Sequence, residues 1–102
     1  MTVRLTHDND KAILHIQGRF DFNVHAAFRQ CSEEALGHAG TREIVINLSR
    51  VNYLDSSALG MLLLLREKAA AASRPTVVIH GAQGMVQQVL EVANFGRLFR
   101  ID

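Results

Sequence analysis

The stretch Val51-Asn52-Tyr53-Leu54-Asp55-Ser56-Ser57-Ala58-Leu59-Gly60 decides how this chain reads. Upstream lies Glu43-Ile44-Val45-Ile46-Asn47-Leu48, an apolar run rich in β-branched residues. Such a run predicts a strand of a parallel sheet with both faces covered. Downstream, Met61 to Leu65 and Arg66-Glu67-Lys68 are followed by four alanines, with no further Gly or Pro until Pro75. These are good helix formers, and they predict a helix from Ser56 to about Ala72. Asp55-Ser56-Ser57 is therefore expected where a loop enters that helix. Asp and Ser side-chain oxygens accept the free N–H groups of a first helical turn, so capping alone would account for an isolated Asp-Ser-Ser.

Working outward, a chain of 102 residues fits one domain and one core, here residues 1–102. A net charge of +1 gives no electrostatic footprint for nucleic acid. The N-terminal residues Met1 to Asp8 contain no apolar signal core. The longest unbroken apolar run, Met61 to Leu65, is far too short to insert into a bilayer. One cysteine, Cys31, cannot form an internal disulfide, and a cytoplasmic location is expected.

Val3 and Leu5 alternate with polar residues as in a short half-buried strand, and His7-Asp8-Asn9-Asp10 has turn composition. Lys11 to Gly18 predicts a second strand, hairpin-paired with the first, with Ala12, Leu14 and Ile16 on one face. Val24, Ala27, Phe28, Cys31, Ala35 and Leu36 make a helical stripe, with Gly37 and Gly40 bracketing its exit. Cys31 on that stripe reads as a buried inert thiol. Ser73-Arg74-Pro75 ends the second helix, and Thr76 to His80 predicts another buried strand. A third helix carries Val86, Val89, Leu90 and Ala93 on one stripe, with Gly96 suited to its end. Leu98 to Ile101 predicts a last short strand. The order β-β-α-β-α-β-α-β is an α/β domain with right-handed crossovers and a mixed, mostly parallel sheet.

Chemistry-bearing patterns are sparse. His7, His15, His25, His38 and His80 fall at no metal-ligand spacing, so no metal site is expected. Ser56 lacks a nucleophile elbow, and no phosphate-loop or dinucleotide fingerprint is present. The chain is expected to be no enzyme and to carry no cofactor of its own.

The run Asn47-Leu48-Ser49, then Val51, then Tyr53 through Leu63 resembles the signature of the STAS domain. More narrowly, it is similar to that of bacterial anti-sigma factor antagonists. The resemblance implies helices in a β-α superhelix against the sheet. It also implies that Ser56, the first hydroxyl residue after Asp55, is the phosphorylation site, with Ser57 a structural helix-start residue. The Gly18-Arg19-Phe20-Asp21 turn resembles the family's Gly-x-x-Asp turn near that site, although Asp21 is equally a plausible cap for the next helix. Asp21 and Asp55 would border Ser56 and shape docking. The implied partners are an anti-sigma factor or serine kinase of the histidine-kinase-like ATPase fold and a metal-dependent serine phosphatase. ATP and metal would belong to those partners. Ala58 stands where the family often has Gly, a change that a helix accepts well.

The second helix has apolar residues on two sides: Leu59, Leu62 and Leu63 on one, Met61, Leu64 and Leu65 on the other. Either both sides meet other helices, or one leaves apolar surface open beside Ser56. Met61 and Leu64 are expected to belong to such a docking surface together with Asp21, Asp55, Ser56 and Ser57. Two other readings fit a STAS resemblance: a structural subunit of a lipid-transport ATPase complex without phosphorylation, and a small-ligand sensor. The single Tyr and the lack of Trp argue against the sensor.

Overall fold

The computed structural model describes residues 3–72 and 75–102. Strands β1 (Val3–Asp8) and β2 (Lys11–Phe20) pair antiparallel through a two-residue reversal, in which Asn9 takes φ +58°. Asn tolerates that left-handed conformation better than most side chains. A 3-10 turn over Phe22–Val24 leads into α1 (His25–Gly37). Then follow β3 (Glu43–Leu54), α2 (Ser56–Ala71), β4 (Thr76–His80), α3 (Gly84–Val92), a 3-10 turn over Phe95–Arg97 and β5 (Arg100–Ile101). The sheet order is β1-β2-β3-β4-β5, and every pair after the first is parallel. Class and element order are those read from the sequence.

From β2 onward each crossover steps one strand in the same direction. Crossovers share one hand, so equal steps place all three helices on one face of the sheet. Burial follows that rule. Ala12, Leu14, Ile16, Ile44, Ile46, Leu48, Val77 and Ile79 are buried in one cluster with Phe28, Leu62, Leu65, Val86 and Leu90. Ile13, Val45 and Asn47, which alternate with them, are only half-buried. The expectation that β3 is covered on both faces is therefore corrected: unidirectional winding leaves the second face open.

β3 is also longer than its apolar run. It continues through Ser49, Arg50 and Asn52 to Leu54, so no loop precedes Asp55. β3 gains one residue on β2 between the pairs His15–Asn47 and Gln17–Arg50, and another between Gly18–Val51 and Arg19–Tyr53. These bulges break the period-two pattern that marks a strand in sequence. The first keeps Leu48 and Val51 both buried, although they are three residues apart. β2 likewise runs past Gly18, which takes φ +87° at the second irregularity.

The chain beyond β4 needs smaller corrections. α3 ends at Val92, and the left-handed residue after it is Asn94 (φ +59°), so Gly96 falls inside the 3-10 turn. Leu98 and Phe99 precede β5 and do not belong to it. Ser73 and Arg74, read as part of the end of α2, lie outside the described residues.

Gly81 takes φ +80°, and a Cβ placed there would stand 2.8 Å from Ser49 Cβ. Both the conformation and the contact exclude a side chain. Gly81→Ala is expected to lower unfolding free energy by about 2 kcal/mol or more in urea titrations. Gly60→Ala, in open space on the exposed side of α2, is expected to raise it by about 0.5–1 kcal/mol.

Candidate functional site

Two adjacent parallel strands end in register at Phe20 and Leu54, both buried. The residue after each is an aspartate in extended conformation: Asp21 (φ −138°, ψ −169°) and Asp55 (φ −124°, ψ −171°). Each turns its carboxylate back on the helical turn that follows. Asn23 N–H donates to Asp21 Oδ1 at 3.0 Å, and Ala58 N–H donates to Asp55 Oδ1 at 3.1 Å. The capping roles read from sequence are both realised, and the two caps stand side by side at the carboxyl edge of the sheet. Arg19 closes the same edge from the uncovered face. Its guanidinium lies 3.9 Å above the Tyr53 ring, and its Nε donates to Asp21 Oδ2 at 3.4 Å.

Ser56 is the first residue of α2 and is exposed, while Ser57 is half-buried. Asp55 takes the capping duty, and Leu59 N–H donates to the Asp55 carbonyl. The Ser56 hydroxyl is thus free of that task, and the Ser56 and Ser57 amides stand outside the cap. Gly60, one turn further on the same side, is exposed as well. No charged residue occurs from Ser56 to Leu65.

The two apolar sides of α2 divide unequally. Met61 (7% exposed) and Leu65 are buried, and they line a cleft toward α1 with His25, Phe28 and Ser32. Leu64 stands at the rim of that cleft, 47% exposed. Met61, expected at the docking surface, is thereby corrected to a core position, because the inward face of α2 is broad enough to take it. On the other flank, half-buried Leu59 meets α3 in an apolar hollow with Met85, Val89 and Val92, where Val92 is 85% exposed. This second strip was missed in the sequence. Its signal was Met85 and Val92, apolar residues of α3 lying off the core stripe.

A second polar constellation, also missed, occupies the uncovered sheet face. Asn47 Oδ1 accepts from Ser49 N–H at 3.0 Å, which turns Asn47 Nδ2 toward His15 Nδ1 at 3.5 Å. His15 Nδ1 is then the acceptor, and its Nε2–H faces Thr6 Oγ1 at 2.8 Å. This arrangement suits neutral imidazole. Burial, and then the charge of Arg4, holds the His15 pKa below its ordinary 6.5. On α1, Cys31 is half-buried and not fully buried as expected; its partial burial and then Glu34 push the thiol up, which disfavours the thiolate. Among the described residues, no group of three or more His, Cys, Asp and Glu is placed to hold a metal, and no helix is long and apolar enough to cross a membrane.

The family profile described as "Mlab, STAS domain" matches residues 3–100. The chain belongs to the STAS family. A STAS-domain containing protein of Pseudomonas aeruginosa is 39% identical over 95 residues, spanning 93% of this chain and 91% of that protein. A candidate anti-sigma factor antagonist of Thermotoga maritima superposes with TM-score 0.85 at 20% identity, over 97% of this chain and 84% of the other. The anti-sigma factor antagonist SpoIIAA in its unphosphorylated form gives TM-score 0.76 at 16% identity, over 99% and 87% of the two chains. The phosphorylated form of SpoIIAA, a Bacillus cell fate determinant, gives 0.74 at 16%, over 99% and 91%. At these identities the solved structures establish a shared fold.

Three expectations follow for this STAS domain. Met61→Glu puts an unpaired charge into the core and should abolish the cooperative melt. Leu64→Lys should leave the melting temperature near normal, so any partner bound through this side of α2 is lost without loss of fold. Melts run beside affinity measurements check both. A third expectation concerns His15, which faces Arg4 and Thr6 from β1 and Asn47 from β3. Because its folded pKa is lowered, the unfolded chain binds the proton first. Stability is complete above pH 6.5 and falls as pH drops below it toward the folded value. His15→Gln should flatten that part of the stability–pH curve, measured by urea unfolding from pH 8 to pH 5, a range chosen to bracket the histidine pKa of about 6.5.

Proposed function

We propose that this STAS domain is a partner-switch regulator. With Ser56 unmodified it binds an anti-sigma factor or serine kinase of the histidine-kinase-like ATPase fold. Phosphorylation of Ser56 releases it, and a metal-dependent serine phosphatase restores the hydroxyl. The observation that carries the reading is the exposure of Ser56 at the first position of α2 while Asp55 alone supplies the cap. The hydroxyl can enter another protein's active site without costing the helix its N-terminus. In this reading the chain is a substrate and a ligand in the cytoplasm, and catalyses nothing.

A phosphoryl group would add about −1.5 to −2 charges at Ser56. The α2 dipole and the two uncapped amides favour that charge, and the Asp55 carboxylate opposes it. The fold is left intact and the surface changes. The docking surface in this reading runs from Asp21 and Asp55 across Ser56, Ser57 and Gly60, with Leu64 on one flank and Leu59, Met85 and Val92 on the other. A dianion at its centre that cost about 3 kcal/mol would weaken binding more than a hundredfold.

A second reading that fits a STAS domain is a structural subunit of a lipid-transport ATPase complex, with no phosphorylation. Pull-down from native lysate with wild type, Ser56→Ala, Ser56→Asp and Asp55→Asn separates the two. Partner switching predicts that an ATPase of the histidine-kinase-like fold is retained by wild type and Ser56→Ala and lost by Ser56→Asp. Intact mass after incubation with that kinase should show one phosphoryl group on wild type and none on Ser56→Ala. Asn caps as well as Asp, so Asp55→Asn should keep its stability while binding or phosphorylation weakens. A transport ATPase held equally by all four proteins, or full phosphorylation of Ser56→Ala at Ser57, would overturn the proposal.

A further inference from the structure

The uncovered face of the sheet carries its charges unevenly. At one end the cations are compensated: Lys11 Nζ and Arg100 Nη2 each lie 3.7 Å from the Glu43 carboxylate, and Arg100 Nε lies 3.4 Å from Asp102 Oδ1. At the other end a cavity of about 440 Å³ is lined by Arg4, His15, Gln17, Asn47, Ser49 and Arg50. None of these is acidic, and among the described residues neither Arg4 nor Arg50 has a carboxylate within ion-pair distance. In a chain of net charge +1, this is a local concentration of positive charge.

The backbone builds this arrangement. Arg4 pairs with His15 and Gln17 pairs with Arg50, so the two arginines stand diagonally across β2 on one face. Strand spacing and rise put their Cα atoms about 12 Å apart, within reach of two long side chains meeting over one ligand. Arg50 reaches that face because of the first β3 bulge, which turns it outward while Leu48 and Val51 stay buried. The bulge is braced twice: Ser49 N–H donates to Asn47 Oδ1, and Gln83 Nε2 donates to the Ser49 carbonyl at 3.1 Å. The Ser49 side chain stays exposed at the rim.

We propose that this pocket binds a small molecule bearing a phosphate-type oxyanion, held by the forked guanidiniums of Arg4 and Arg50. The planar fork of arginine matches tetrahedral oxyanions bidentately, and paired forks around a concave polar wall are what such recognition requires. The volume falls in the range of small-ligand pockets, about 300–1,000 Å³, and leaves room for a polar body beside the phosphate. This site lies on the sheet face away from the helices and does not depend on the reading of Ser56.

The test is titration of the isotope-labelled full chain with sodium pyrophosphate, at ionic strength held constant with sodium chloride, followed by amide chemical shifts. Expected are saturable shifts at Arg4, His15, Ser49 and Arg50, and a melting temperature that rises with pyrophosphate. Arg4→Gln and Arg50→Gln, both at exposed positions, should retain the wild-type melt and each weaken binding roughly tenfold or more. Shifts reproduced by chloride alone, spread over all surface arginines, or unchanged in both variants would overturn the proposal. So would binding confined to heparin or to anionic lipid vesicles.

Discussion

Phe20 and Leu54 are paired across two parallel strands and both side chains are buried, so the residues that follow them leave the sheet side by side. Asp21 and Asp55 inherit their positions from that pairing, and each caps the turn it precedes. An N-cap of this kind contributes about 1 kcal/mol to its helix. Its larger effect here is geometric. With no loop between β3 and α2, the start of α2 stands where β3 ends, and β3 ends where Leu54 meets Phe20. Ser56 is therefore presented on a rigid edge between two helical turns.

The site was legible where its chemistry is local. Asp55-Ser56-Ser57 announces a helix start because capping involves residues three positions apart, and α2 and the hairpin follow from composition and turn residues. What was hidden depends on partners distant in sequence. The length of β3 could not be read past Ser49, Arg50 and Asn52, since the bulges that accommodate them exist only against β2. Met61 and Leu64 could not be told apart on a helix that is apolar on nearly every side. Their difference is set by how close α1 approaches. The uncovered face is a property of strand order, and the apolar run of β3 looks the same with one face covered or two. His15, Thr6 and Asn47 gave no signal because their spacing has meaning only across three strands.

One-sided coverage leaves the domain with a face that must stay in water although Ile13, Val45 and Val78 lie on it. The ion pairs around Glu43 run across this face beside buried Val78. Exposed pairs of this sort contribute about 0–1 kcal/mol each. Their value is that they lay charged heads and apolar stems over strands that would otherwise offer a flat surface to another sheet. The bulged end is kept apart in a different way, by the bulge itself and by Arg4 and Arg50, which among the described residues have no carboxylate within ion-pair distance.

The strand order β1-β2-β3-β4-β5 is also the order of the chain. Among the described residues no strand is inserted between two that are already paired. Each new β-α unit can be laid onto an edge that exists when it emerges from the ribosome, and loop closure spans only one helix at a time. Sequential pairing keeps the sequence separation of contacts low for a largely parallel sheet, a class otherwise slow to form. The architecture therefore permits growth from the hairpin outward during synthesis, with a single growing edge exposed at any moment.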